Sequence, residues 1–275
     1  MKDPDGNSDP RSDFPAGAAY GRDFFEHSAT DEGERLALIE EEQDPYTISR
    51  IQALGLAADW HCLEIGAGRG SMARWLADQC PQGLVVATDL DVSLFDTEGR
   101  TNLVIRQHDI TTDDFPPDTF HLIHARGILT HVPDREAVCR RMASWLRPGG
   151  WLLVADPASF PVDSSPHELM RKAGAASTMV MRQLIGTDPN WARTFPAPLV
   201  AAGLVDVDAE CRLRMMRGGT TEAKMFALMI GQMAPHMVNT GLITSEEIAT
   251  LCAQLLDPSF LDFPPAVVRS WGRRP

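Results

Sequence analysis

The chain has 275 residues, 44% of them apolar, with 25 basic and 38 acidic side chains and a formal charge of -13. That length and apolar content suit one large α/β domain with additions. The negative charge, of which residues 1–45 alone carry -9, repels phosphate backbones and excludes nucleic acid as the expected partner, leaving a small molecule.

Residues 1–18, rich in Asp, Pro, Gly and Ser, read as a flexible acidic tail, and 19–275 as a single domain. Within residues 19–55 two helices are expected. Arg35 to Glu42 has amphipathic spacing, Asp44-Pro45 breaks it, and Tyr46 to Gly55 forms a second short helix closed by glycine. The cofactor-binding core over 56–156 follows. Trp60 to Ile65 is its first strand, and Ser71 to Ala77 has helical spacing. Strands at 84–89, 103–106, 120–125 and 151–156 alternate with helices such as Asp134 to Leu146, ended by Arg147-Pro148-Gly149-Gly150. Such alternation predicts a mostly parallel, doubly wound sheet covered on both faces, the Rossmann-like class. Beyond Asp156, residues 157–203 and 218–258 read as a helical lid, and 204–217 and 259–275 as closing strands.

Leu63-Glu64-Ile65-Gly66-Ala67-Gly68-Arg69-Gly70-Ser71 places three glycines at alternate positions where the first strand turns into a helix. Glycine there lets backbone approach a ligand closely. A dinucleotide fingerprint needs a small third packing residue at the sixth position, where this chain has Ser71. Asp89 ends the second strand nineteen residues after Gly70, near the ~20-residue offset at which an acid meets ribose hydroxyls. His108-Asp109-Ile110 follows the third strand, where a carboxylate can accept from an adenine amino group. All these strand ends meet at one crevice, so an adenosine-containing cofactor is expected.

These residues, with Ala87-Thr88-Asp89, Gln107-His108-Asp109-Ile110, Leu129-Thr130-His131-Val132-Pro133-Asp134 and Leu146-Arg147-Pro148-Gly149-Gly150-Trp151, resemble the class I S-adenosylmethionine-dependent methyltransferases. Within that class they are similar to the small-molecule branch of quinone-biosynthesis and actinobacterial natural-product enzymes. The likeness runs over about residues 35–156, with His121 standing where the family often has an acid. It implies seven strands with the last antiparallel, S-adenosylmethionine as cofactor, and methyl transfer to O, N or C of a bulky apolar metabolite. The cofactor contacts expected are Glu64, Gly66, Ala67, Gly68, Gly70, Ser71, Asp89, Leu90, His108, Asp109, Ile110 and Arg126.

His131 is the candidate general base, because it follows the fourth strand at the mouth and an unperturbed imidazole titrates near neutrality; capping the following helix is the competing role. His124, inside the fourth strand, reads as a core histidine. Met225, Met229, Met233 and Met237 recur every fourth residue and, with Met179, are candidates for an apolar substrate pocket in the lid, a plain core stripe being the competing role, and Pro235 is expected to kink or end that helix before Met237. Trp191, Phe195 and Phe160 are further candidates on the same cover. Neither the five cysteines nor the eight histidines have metal-ligand spacing, so no metal is expected. No run reaches the ~18 apolar residues of a membrane span, and the first residues lack an apolar export segment, so a cytoplasmic protein is expected, as monomer or homodimer. Two other readings stay open: a dinucleotide-dependent oxidoreductase, and an S-adenosylmethionine-binding protein that transfers no methyl.

Overall fold

A computed structural model describes residues 32–275, so the expected tail over 1–18 and the stretch 19–31 lie outside the described residues. The elements in chain order are α1 (Glu32–Ala53), β1 (His61–Ile65), α2 (Ser71–Gln79), β2 (Leu84–Asp89), β3 (Leu103–Gln107), β4 (Phe120–Arg126), α3 (Arg135–Trp145) and β5 (Leu146–Ala158). Then come α4 (Phe160–Asp163), α5 (Glu168–Ile185), α6 (Ala197–Ala201), β6 (Val205–Arg212), β7 (Met216–Arg217), α7 (Thr221–Asn239), α8 (Ser245–Leu256), β8 (Leu261–Asp262) and β9 (Ala266–Arg273). Single 3-10 turns lie at Leu129–His131 and Trp191–Thr194.

Seven strands form one sheet in the order β3-β2-β1-β4-β5-β9-β6. The first five are mutually parallel, and β9 runs antiparallel to both β5 and β6, as the resemblance implies. β1 and β4 are buried along almost their whole length, which is why they read as near-continuous apolar runs. After β1 the chain builds outward to β3 and then crosses back to place β4 on the other side of β1. That reversal opens a crevice at the carboxyl ends of β1 and β4.

One face of the sheet is filled by Ile51, Met72, Leu76 and Trp271, under α1 and α2, and the other by Leu129, Met142, Trp145 and Leu199, under α3 and α6. A third cluster, built on Met170, Val180, Phe226, Ile230, Met233 and Leu251, joins α5, α7 and α8 into a helical unit closed by the small β7-β8 ribbon. Among the described residues no helix is long and apolar enough to cross a membrane.

Three local expectations are corrected. The break at Asp44-Pro45 does not occur: α1 is one 22-residue helix with Pro45 inside it. Proline removes one intrahelical bond and crowds the preceding turn, at about 3 kcal/mol in a free helix. Anchors outside the helix offset this cost. Glu40 faces Arg69 at 3.7 Å, Glu41 accepts from the Thr221 hydroxyl at 2.9 Å, and Glu42 pairs with Arg212 at 2.7 Å. Gln43 accepts from Arg269 and Asp44 from Arg126, both at 2.7 Å. Tyr46 lies under the Arg212 guanidinium at 3.5 Å from the ring centre. The run Glu40 to Asp44 is therefore a docking seam rather than a solvated face.

Pro235 likewise sits inside α7, which continues to Asn239 and keeps Met237 fully buried. β5 begins at Leu146 rather than at Trp151: Phe120 pairs with Leu146, and the register shifts before Leu122 meets Trp151. Gly150 permits the close passage there, since a Cβ would come within 2.9 Å of the Phe120 carbonyl oxygen. His121, where the family often has an acid, instead takes the His61 backbone N–H on Nδ1 at 2.8 Å.

Candidate cofactor and acceptor site

The loop after β1 is held in a left-handed path, with φ of 69° at Gly66, 54° at Gly68 and 84° at Gly70. The three glycines do different work. A Cβ on Gly66 would lie 2.1 Å from Ile128 Cδ1, and one on Gly70 2.0 Å from the Phe95 ring, so both are places of close packing. At Gly68 the nearest neighbour would be a Leu36 methyl 3.8 Å away, because that side of the loop is open. The Gly68 N–H donates to Asp89 Oδ2 at 2.8 Å, and the Ala67 N–H to the Thr88 carbonyl at 2.9 Å. The carboxylate ending β2 thus pins the loop that follows β1, although the two are twenty-one residues apart.

A cavity of about 460 Å³ lies over these strand ends. Gly66, Ala67, Gly68, Asp89, Leu90, His108, Asp109, Ile110, Arg126 and His131, all expected from the sequence, line it. Asp109 Oδ1 accepts from the backbone N–H and hydroxyl of Thr111 at 2.8 and 2.6 Å. This turn holds its carboxylate at the cavity wall. His108 is 3% exposed and stacks on Phe115 with ring centres 4.8 Å apart, and neither of its ring nitrogens has a hydrogen-bond partner among the described residues. Burial lowers its pKa, so the ring is neutral at physiological pH. An unsatisfied buried polar group at a cavity wall marks a place for a ligand or water.

The cover of the cavity is α1, through Glu32, Arg35, Leu36, Ile39 and Glu40, with Ile185 from the end of α5. Sequence reasoning found the helix but not this role, because the anchors of α1 are spread over the rest of the chain. Glu32 and Arg35, both buried, form a two-armed pair at 2.6 and 2.8 Å. The Arg126 guanidinium is taken by Asp44 and that of Arg69 by Glu40, so each arginine at the wall faces an acid from α1.

His131 closes the turn after β4, and its Nδ1 meets the Thr187 hydroxyl at 2.8 Å. The expectation that it titrates near neutrality is corrected. Burial first, then the charges of Arg35 and Arg135, hold its pKa down to about 3. The turn is fixed from beneath by Asp156, fully buried at the end of β5, whose carboxylate accepts from the Thr130 N–H at 3.3 Å. Burial pushes Asp156 up to about 7.

Several expected contacts are elsewhere. Glu64 does not face the cavity; it sits opposite His124 in the β1–β4 register and takes the buried His124 Nδ1 at 2.7 Å. Paired cross-strand residues point to the same face, which is the signal that sequence reading missed. Gly70 is buried against Phe95, and Ser71 opens α2 outside the cavity lining. Met179, Met225 and Met229 do not line the cavity; they are half-buried on α5 and α7. The buried line of α7 is Ala223, Phe226, Ile230, Met233 and Met237, which alternates steps of three and four. A strict four-residue step drifts by ~40° each time, so the methionine stripe leaves the buried face at its amino end. Trp191 and Phe195 pack in the main core, with Phe160 against it.

A doubly wound sheet with a glycine loop and acids at the ends of β2 and β3 defines a nucleoside-cofactor-binding domain of the Rossmann-like class. A family model described as a methyltransferase domain matches residues 26–183, more than half the chain, and the protein belongs to that family. Methyltransferase str3 of Strobilurus tenacellus is 31% identical over 137 residues, covering 48% of each chain. Phosphoethanolamine N-methyltransferase 1 of Triticum aestivum is 29% identical over 168 residues, 59% of this chain and 32% of that one. The chain thus spans half or less of the length of these curated relatives. The solved Haemonchus contortus phosphoethanolamine N-methyltransferase 2, in complex with S-adenosyl-L-methionine, shares the fold with a TM-score of 0.61 at 16% identity, covering 95% of this chain and 62% of that one.

Proposed function

We propose that this protein is an S-adenosylmethionine-dependent methyltransferase acting on a small metabolite in the cytoplasm. The observation that carries the reading is the convergence on one cavity of the open face of Gly68, the Asp89 and Asp109 carboxylates and His108, whose ring nitrogens have no hydrogen-bond partner among the described residues. These residues fit the cofactor. Two acids suit ribose hydroxyls and an adenine amino group, and the wall is poor in free cations for a diphosphate, since Arg35, Arg69 and Arg126 each face an acid. Gly66 to Gly68 would lie along the methionine part. When bound, the cofactor supplies an electrophilic sulfonium methyl.

The chain's own contribution is binding, alignment and exclusion of water. α1 covers the cavity, with Leu36, Ile39, Ile128, Val132 and Ile185 providing an apolar wall. That wall supports an acceptor with a bulky apolar body, of secondary-metabolite or quinone-like character. In-line transfer to such an acceptor draws its rate from positioning in a dry site. His131, neutral at physiological pH, lines the same cavity.

Calorimetric titration with S-adenosylmethionine tests the cofactor: micromolar binding is expected, and its absence removes the reading. Incubation with methyl-labelled cofactor and an extract of the host, followed by mass spectrometry, identifies the acceptor as the species gaining one methyl. Binding without any labelled product in extract would leave a cofactor-binding protein and reject transfer.

A further inference from the structure

We propose that Glu40 on α1 and Arg69 in the glycine loop clamp the amino-acid end of the cofactor, the Glu40 carboxylate taking its α-ammonium and the Arg69 guanidinium its carboxylate. The inference rests on the S-adenosylmethionine reading of the site, and it gives to Glu40 the duty that the sequence placed at Glu64. Glu64 is engaged by the buried His124, so an acid for a cationic end has to come from another element. α1 brings two carboxylates to the cavity, Glu32 and Glu40. Glu32 is closed off by Arg35 at 2.6 and 2.8 Å. Glu40 differs. Its ion-pair partner, Arg69 Nη1, is 3.7 Å away, beyond hydrogen-bond reach, and among the described residues no donor reaches its carboxylate.

Position as well as charge selects the ligand group. Leu36, one turn before Glu40, is the residue nearest the open side of Gly68, and Arg69 follows Gly68 directly, so the pair stands where the loop meets the cover. That is the methionine end of the site, and Asp89 and Asp109, which follow β2 and β3, are left for ribose and adenine. Both members of the pair have unused capacity. The Glu40 side chain is 17% exposed, and burial raises its pKa by more than the Arg69 charge lowers it, as expected of a carboxylate short of donors. Among the described residues the Arg69 side chain donates through Nη1 alone, to the Gly33 carbonyl at 3.3 Å, which leaves N–H groups of its fork for a carboxylate. The pairs that α1 makes further along, Glu42 with Arg212 and Asp44 with Arg126, are closed at 2.7 Å. A loose pair of opposite charges is complementary to a zwitterion, whose two ends enter between them and leave the set neutral. A diphosphate has no cation to offer Glu40.

The test is calorimetric titration of the full-length protein with S-adenosylhomocysteine, which has no sulfonium charge, and with two truncated analogues, one lacking the α-amino group and one lacking the carboxyl group. No methyl acceptor is present, so an effect of Glu40 cannot come from holding one. Glu40→Gln is expected to weaken S-adenosylhomocysteine and the decarboxylated analogue about 10-fold or more, the scale of one hydrogen bond to a charged group, while the deaminated analogue binds as well as to the native protein. Arg69→Gln is expected to give the mirror pattern, weakening the deaminated analogue and sparing the decarboxylated one. The native protein should favour S-adenosylhomocysteine over either analogue by about 10-fold or more. Binding of S-adenosylhomocysteine to Glu40→Gln within two-fold of native overturns the proposal. So does an equal loss for all three ligands, since the substitution then only loosens the cover. If Glu40→Gln does not fold, the Arg69→Gln pattern and the native preference decide, and a deaminated analogue that binds the native protein within two-fold of the parent overturns the clamp. Failure of S-adenosylhomocysteine to bind the native protein rejects the cofactor reading beneath the proposal, whereas native binding with an unaffected Glu40→Gln rejects the clamp alone.

Discussion

Replacing Gly68 and Gly70 by alanine, one at a time, separates a residue that faces a ligand from one that packs the fold. Both sit at positive φ, 54° and 84°, which costs an L-residue roughly 1–2 kcal/mol. At Gly68 the methyl meets nothing nearer than Leu36 at 3.8 Å, so this backbone term is the whole expected stability loss. At Gly70 the methyl falls 2.0 Å from the Phe95 ring, which is 8% exposed. Overpacking of that kind adds about 1–3 kcal/mol. Urea unfolding is therefore expected to rank native, Gly68→Ala and Gly70→Ala in falling order, the last at least ~1 kcal/mol below the second. Calorimetry with S-adenosylmethionine should show the other pattern. The Gly68 methyl enters the space between the loop and Leu36, which belongs to the cavity, so affinity should fall about 10-fold or more, equivalent to ~1.4 kcal/mol. A Gly68→Ala protein that binds within two-fold of native, or that is less stable than Gly70→Ala, refutes this account of the loop.

Three other predictions concern the cover, the buried titrating groups and the methionines. The Asp44–Arg126 pair is only 17% and 16% exposed, so a double-mutant cycle with alanine should give a coupling of about 1 kcal/mol or more by urea unfolding, and zero coupling would dismiss the seam as an anchor of α1. His131, near 3 when folded against ~6.5 unfolded, contributes stability present above pH 6.5 and lost as pH falls toward 3. Asp156, near 7 when folded against ~3.9 unfolded, contributes stability present below about pH 3.9 and lost as pH rises toward 7. The two slopes oppose each other between about pH 4 and 6.5. Asp156→Asn should therefore lose stability on acidification more steeply than native, by up to ~1.4 kcal/mol per pH unit, and parallel curves would contradict the assignment. Met233→Ala, in the fully buried line of α7, should cost about 2–4 kcal/mol and half-buried Met229→Ala less, with cofactor affinity unchanged in both; a weakened affinity would return the stripe to the site.

The parallel strands, the glycine loop and the acids after β2 and β3 were legible in the sequence because each depends on short-range pattern: apolar runs, glycine where φ is positive, and offsets along one chain. The antiparallel direction of the last strand was implied only by the resemblance, not by any pattern along the chain. What covers the cavity was not legible, because it depends on Glu40 to Asp44 meeting residues 69, 126, 212, 221 and 269. Those distant partners also explain why Pro45 fails to break a helix that its neighbours in sequence would not sustain. Glu64 looked like a ligand contact until strand register set it against His124. Residue type alone put the pKa of His131 near neutrality, whereas its environment, made of burial and two arginines from separate elements, puts it near 3. Backbone conformation follows from local sterics and periodicity, and so it can be read along the chain. The direction of a side chain, its charge state and its neighbours come from residues far apart in sequence, and only the folded chain brings those together.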